Sequence, residues 1–185
     1  MQPKETYDLL VATFGETVSD FSEGGGLKDP FCRLAPERLL EVARTLRDHP
    51  SLQFDFLECV TAVDWPKANQ IEVVYHLFSY PQRHSFTLKV TLPRETPTVA
   101  SLASLWDSAD WLEREQFDLM GVDFAGHPDL RRLLLPEDWT GHPLRKDYQQ
   151  PAEYRGMRTT RPSPLDLLPK YDAHAAALAT EGDAK

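Results

Sequence analysis

Between Trp106 and Pro151 the chain interleaves acids, arginines, histidines and aromatics with glycine and proline more densely than solvated surface needs. Glu113, Glu115 and Asp118 lie close enough in sequence to form a general acid–base set if one of them were desolvated, which would be the site of a free-standing hydrolase. Arg114, Arg131 and Arg132 oppose that reading, because neighbouring guanidinium groups keep carboxylates ionised, and no Ser or Cys nucleophile accompanies the acids. His127 and His142 each follow a glycine and precede a proline. With Asp129 and Asp138 they invite a zinc-binding module, but a Gly-His-Pro turn disfavours a helix and removes the i,i+4 geometry of a helical metal pair. The plainer expectation is that each ring bonds to local backbone or carboxylate. Arg131-Arg132 and Arg145-Lys146-Asp147-Tyr148 are basic clusters suited to gripping an acidic neighbour through paired N–H groups.

These groups need a carrier. Asp107 or Ser108 begins a predicted helix that runs to Met120 and ends at Gly121. At about 100° per residue, Leu105, Ala109, Leu112, Gln116, Leu119 and Met120 share one face, the expected core stripe. Asp110, Arg114 and Asp118 follow at i,i+4 steps on the other side, which predicts an exposed ion-pair ladder or an interface ladder. Trp111 and Phe117 fall off the core stripe, and large aromatics so placed favour the interface.

Upstream, residues 5–14 read as a helix stopped by Gly15, and 17–21 and 31–34 as short strands joined across the glycine run at 24–26. Pro36 starts a second helix that ends at Asp48-His49-Pro50. Strands follow at 54–63, 71–78 and 86–92, the last alternating Phe86, Leu88, Val90 and Leu92 inward; short loops predict antiparallel pairing. Thr98 is expected to cap a helix reaching Trp106. Prolines recur from Pro128 to Pro169, so the chain after 125 reads as an extended arm. The expected layout is an α+β domain over 1–125, with helices on a mixed, largely antiparallel sheet. A partner-wrapping arm follows over 126–172, then a disordered tail over 173–185.

The 185 residues carry a net charge of −9, which excludes nucleic acid as a partner and disfavours unaided adhesion to anionic lipid. No run reaches the roughly 20 apolar residues that span a bilayer, and the N-terminus has neither a secretory nor a transit pattern. Any membrane association is expected to be indirect. Two isolated cysteines, Cys32 and Cys59, cannot supply the four ligands of an iron–sulfur cluster and read as reduced thiols.

Glu113-Arg114-Glu115, Asp118 followed by Leu119 and Met120, His127, Arg131 and Leu133-Leu134 stand in one register, flanked by GHPDLRR and GHPLRKDY. This pattern resembles the signature of the C subunit of proton-pumping NADH:quinone oxidoreductase, respiratory complex I, in its unfused form. The resemblance extends from roughly Phe54 to Pro151. It implies an α+β component of the peripheral arm, on the cytoplasmic side of a bacterial membrane, bound mainly to the D subunit with the B and I subunits near. It implies no catalytic, metal or cofactor residue in this chain, with FMN and iron–sulfur clusters held by partners, and a D subunit that is a separate polypeptide. The partner-interface or arm-locking residues would be Trp111, Glu113, Arg114, Glu115, Phe117, Asp118, His127, Arg131, Arg132, His142, Arg145, Asp147 and Tyr148. An equivalent component of a membrane-bound hydrogenase or another quinone-linked dehydrogenase carries the same pattern.

Overall fold

Alternating apolar residues make the sheet. In the computed structural model, which describes residues 2–24 and 29–159, β1 (Val18–Ser22) and β2 (Phe31–Leu34) pair antiparallel, with Val18 opposite Leu34. β3 (Phe56–Trp65), β4 (Gln70–Ser79) and β5 (His84–Pro93) form the expected antiparallel meander. Sequence did not foresee that β2 joins β5 in parallel, Cys32 opposite Leu88, which sets the order β1-β2-β5-β4-β3. Among the described residues the sheet is mixed and mostly antiparallel.

Among the described residues three α-helices supply the apolar stripes that close the core. α1 (Pro3–Phe14) has Pro3 in its first turn and ends at Gly15, at φ +62°. α2 (Leu39–Asp48) follows a 3-10 turn at Pro36–Arg38 and buries Leu39, Val42, Ala43 and Leu46. α3 (Asp107–Met120) contributes Ala109 and Met120. Leu10 of α1 and these residues join one core with Val73, Tyr75 and Leu77 of β4 and Phe86, Leu88 and Val90 of β5.

The helix expected from Thr98 to Trp106 is not formed. Thr98–Ala100 is a strand, β6, paired in parallel with β7 (Asp123–Ala125) beyond α3. The Ser101 amide donates to the Ala125 carbonyl at 2.9 Å, and only one turn follows, with the amides of Leu105 and Trp106 both donating to the Leu102 carbonyl. Pairing with a strand over twenty residues away overrides the local signal of Thr98.

The chain divides into two units, Met1–Tyr148 and Gln149–Lys185. Residues 126–148, which the sequence reading assigns to the arm, fold within the first unit. In the second, β8 (Glu153–Tyr154) and β9 (Met157–Arg158) form a hairpin turning at Arg155-Gly156, both at positive φ. The rest of the expected arm and the tail at 173–185 lie outside the described residues. No described helix is long and apolar enough to cross a membrane.

Candidate functional site: the strap sealed on helix α3

The predicted outer face of α3 is not outside. Asp118 and Glu113 have no exposed surface and Arg114 is only 6% exposed. For Asp118 and Arg114 the reason lies in residues 131–147, a strap that folds over the helix face opposite the sheet, so α3 is covered on two sides.

Asp118 anchors the strap. Its Oδ2 accepts the backbone amides of Leu133, Leu134 and Leu135 at 3.0, 2.7 and 2.8 Å, and its Oδ1 accepts Arg132 at 2.7 Å. Successive amides converging on one oxygen form a nest for an anion, and here the anion is built in. Burial alone would raise this acid; the three amides and Arg132 outweigh it and hold it below the usual carboxylate range.

The last turn of α3 leaves carbonyls without helical donors. The strap supplies them. His142 Nδ1 donates to the Asp118 carbonyl at 3.0 Å, the Leu144 amide to Leu119 at 3.1 Å, and Arg145 Nε to Met120 at 2.8 Å. Burial lowers the His142 pKa, and Arg145 and Arg132 add to that. The neutral ring therefore carries its proton on the donating Nδ1, while Arg145 puts positive charge at the negative end of the helix dipole. Gly121, at φ +73°, makes room for both side chains.

A second anchor was not legible in the sequence. Asp64 of β3, buried, takes a two-pronged bond from Arg94 at 2.6 and 3.0 Å and the Lys146 amide at 2.9 Å. Arg94 also bonds Asp147 at 2.6 Å, so one guanidinium joins the sheet to the strap. Arg94 holds both Asp64 and Asp147 below their ordinary pKa. The pair is separated by thirty residues and no local spacing announces it. Replacing Arg94 by lysine, which cannot make the fork, is expected to speed amide exchange at Lys146 and lower the melting temperature by a few degrees, leaving the amides of Leu133–Leu135 protected.

The remaining predicted residues fall into place around these anchors. Arg114 Nε donates to the Arg131 carbonyl at 3.3 Å, and its guanidinium lies 5.1 Å from the Trp111 ring. Arg131 itself is exposed and bonds Asp129. His127 Nε2 donates to the Asp110 carbonyl at 3.1 Å while Nδ1 accepts the Asp129 amide, so both histidines bond backbone. Tyr148, just past the strap, accepts the Trp139 indole N–H at 3.1 Å. Glu115 is partly buried. Phe117, expected at an interface, instead packs against the core. Trp111 stays 60% exposed, as do Leu134 at 61% and Leu144 at 54%. Glu113 reaches neither the surface nor the strap. Its oxygens accept the Ser101 hydroxyl at 2.6 Å and the Leu102 amide at 2.7 Å. A carboxyl so enclosed presents no face to a substrate, which removes the acid–base set as a working trio.

The strap's acids respond to pH in one direction. Asp64, Asp118 and Asp147 all have folded pKa values below their ordinary ones. Their stabilisation is present above the unfolded value, about 3.9, and is lost as pH falls through the folded values. Acidification below about pH 4 is therefore expected to release the strap, read as a change in Trp139 fluorescence; an unchanged signal down to about pH 2 would contradict it.

A mixed sheet backed by helices, with a charged helix sealed by the strap that follows it, defines the domain as α+β. A chain of the membrane-bound sulfane sulfur reductase, an archaeal respiratory membrane complex, shares the fold at TM-score 0.66 and 22% identity, over 82% of this chain and 88% of that one. The family is narrower than the fold. The profile of the respiratory-chain NADH dehydrogenase 30 Kd subunit matches residues 32–154, and the chain belongs to that family. The C subunit of NADH-quinone oxidoreductase from Roseiflexus castenholzii is 51% identical over 145 residues, 78% of this chain and 82% of the relative. The solved trypsin-resistant fragment of Nqo5 matches at TM-score 0.56 and 31% identity, over 70% of this chain and 100% of the fragment.

Proposed function

We propose that this chain is a non-redox structural component in the peripheral arm of a proton-pumping NADH:quinone oxidoreductase. It binds mainly the D subunit, with the B and I subunits near, on the cytoplasmic side of a bacterial membrane that it touches only through the complex. Its neighbours carry the FMN and iron–sulfur clusters that pass electrons from NADH to quinone. The chain's contribution is stiffness, because electron transfer needs centres held at set distances and an ordered wedge lowers the entropy of reaching them.

The observation that carries this reading is the Asp118 nest. The signature residues Asp118, Arg132, His142 and Arg145 are spent on sealing the strap to α3, which is what a positioning element requires. Trp111, Leu134 and Leu144 remain outward as apolar anchors for partners. Tagging the chain and extracting membranes gently should recover a flavin- and iron–sulfur-bearing complex that oxidises NADH with quinone. Recovery of the chain by itself, or with a redox-active metal of its own, would overturn the proposal.

A further inference from the structure

The helices cover one side of the sheet. Alternation along β4 sends Val73, Tyr75 and Leu77 into the core and leaves Val74, His76 and Phe78 on the reverse. Thr61 of β3, Val74 of β4, Lys89 of β5 and Arg33 of β2 stand side by side in register across that reverse face. A shallow groove crosses it from Phe31 on β2 to Val63 and Trp65 on β3, and among the described residues no helix lines the groove. A sheet face left to water is polar at its outward positions. This one presents Trp65 at 52% exposure and, at one corner, Tyr80 at 62% beside the exposed Phe56.

The charges of this face do not balance. Arg33 is spent on Glu72 at 3.1 Å and Asp20 at 3.3 Å, and the Lys89 ammonium lies 3.9 Å from the centre of the Phe31 ring. Asp29 and Glu58, both exposed, line one depression together with His76 and Phe78. Among the described residues the ion pair of Asp29 is with the His76 ring, at 3.7 Å, and Glu58 has none. Next to the depression Tyr80 meets Phe78 edge-on at 5.0 Å and Phe56 at 5.6 Å. Unpaired carboxylates beside aromatic rings favour a cation.

We propose that the reverse face of the sheet is a second docking surface, and that its occupant is a basic amphipathic helix of a partner protein. The apolar stripe of such a helix lies along the groove over Val63, Val74 and Trp65, adding a layer as helices do on sheets. Lysines or arginines on its flank reach Asp29 and Glu58. A helix of about eighteen residues spans ~27 Å, close to the ~33 Å of a ten-residue strand such as β4. A second copy of this chain is a poor occupant, because both unbalanced groups are acids and the whole chain carries a net charge of −9. The surface faces away from α3 and the strap, and it does not depend on which complex receives the chain.

Hydroxyl-radical oxidation of the free chain and of the chain in its gently extracted complex gives the first test. Trp65 and Tyr80 should be protected severalfold in the complex, and equal oxidation overturns the proposal. The second test needs only the purified full chain. Its probe is a synthetic amphipathic helix of leucine and lysine, about eighteen residues long. Titration with it should shift the Val74, His76 and Thr87 amides and leave those of Leu133–Leu135 in place. Asp29→Lys combined with Glu58→Lys, both at exposed positions, should keep the wild-type melting temperature and weaken binding roughly tenfold. Trp65→Ala should weaken it by a separate, apolar route. Shifts scattered over the whole surface, or an affinity that neither variant changes, overturn the proposal, as does a dimer of the free chain that hides Trp65. If the chain leaves the membrane alone, the structural-component reading fails, and the peptide titration still decides this one.

Discussion

Asp118→Ala is expected to destabilise the purified chain by about 3–5 kcal/mol, because it leaves three amides without their acceptor and Arg132 without its carboxylate. Asp118 is fully buried, it accepts the amides of Leu133, Leu134 and Leu135, and it is the carboxylate that Arg132 bonds. The loss has a local signature. Amide exchange at Leu133–Leu135 should accelerate toward that of open loop, while strands β4 and β5 keep the protection that global stability allows. Asp118→Asn separates shape from charge. Its side-chain oxygen can still accept amides, but it loses the charge-assisted bond to Arg132, so an intermediate loss is expected. A denaturation midpoint for the alanine variant within experimental error of wild type would show that the nest does not hold the strap. In the assembled complex the same substitution should reduce recovery of the chain with its partners, since Leu134, an outward anchor, hangs from the nest.

Gly121→Ala has the second largest expected effect. An alanine forced to φ +73° costs roughly 1–2 kcal/mol in the left-handed region. Its Cβ would also lie 2.5 Å from His142 Nε2 and 2.9 Å from an Arg145 nitrogen. Both side chains must withdraw, uncapping the carbonyls of Asp118 and Met120, so the sum is expected at about 2–4 kcal/mol. Gly126 provides the control, because it too has positive φ, +84°, but a Cβ there meets nothing within 4 Å. Gly126→Ala should show the backbone cost alone. Equal losses in the two variants would mean that His142 and Arg145 contribute little to holding the strap.

The two pH responses combine. The strap acids lose their contribution below about pH 4; burial pushes the Glu113 pKa up to about 7, so that acid withdraws stability as pH climbs from about 4.5 toward 7. The isolated chain should therefore be most stable at about pH 5, measurable as a maximum in melting temperature against pH.

Much of this architecture was readable in the residues alone. Periodicity announced β3, β4, β5, α2 and α3, because the burial of one face is written into each element's own residues. Gly15 and Gly121 marked helix ends for an equally local reason, since few other residues accept positive φ. The register of acids, arginines and histidines from Glu113 to Tyr148 marked where the important contacts would be. Which contacts they were depended on the fold. A helical wheel assigns Asp118 and Arg114 to the side away from the core, yet a strap more than ten residues downstream returns to cover that side and turns a surface ladder into a buried lock. The Asp64–Arg94–Asp147 bridge, the parallel pairing of β2 with β5 and the strand at Thr98 share that origin. Each joins segments distant along the chain, and a polar group reveals its partner only when packing has brought the two together and taken the water away.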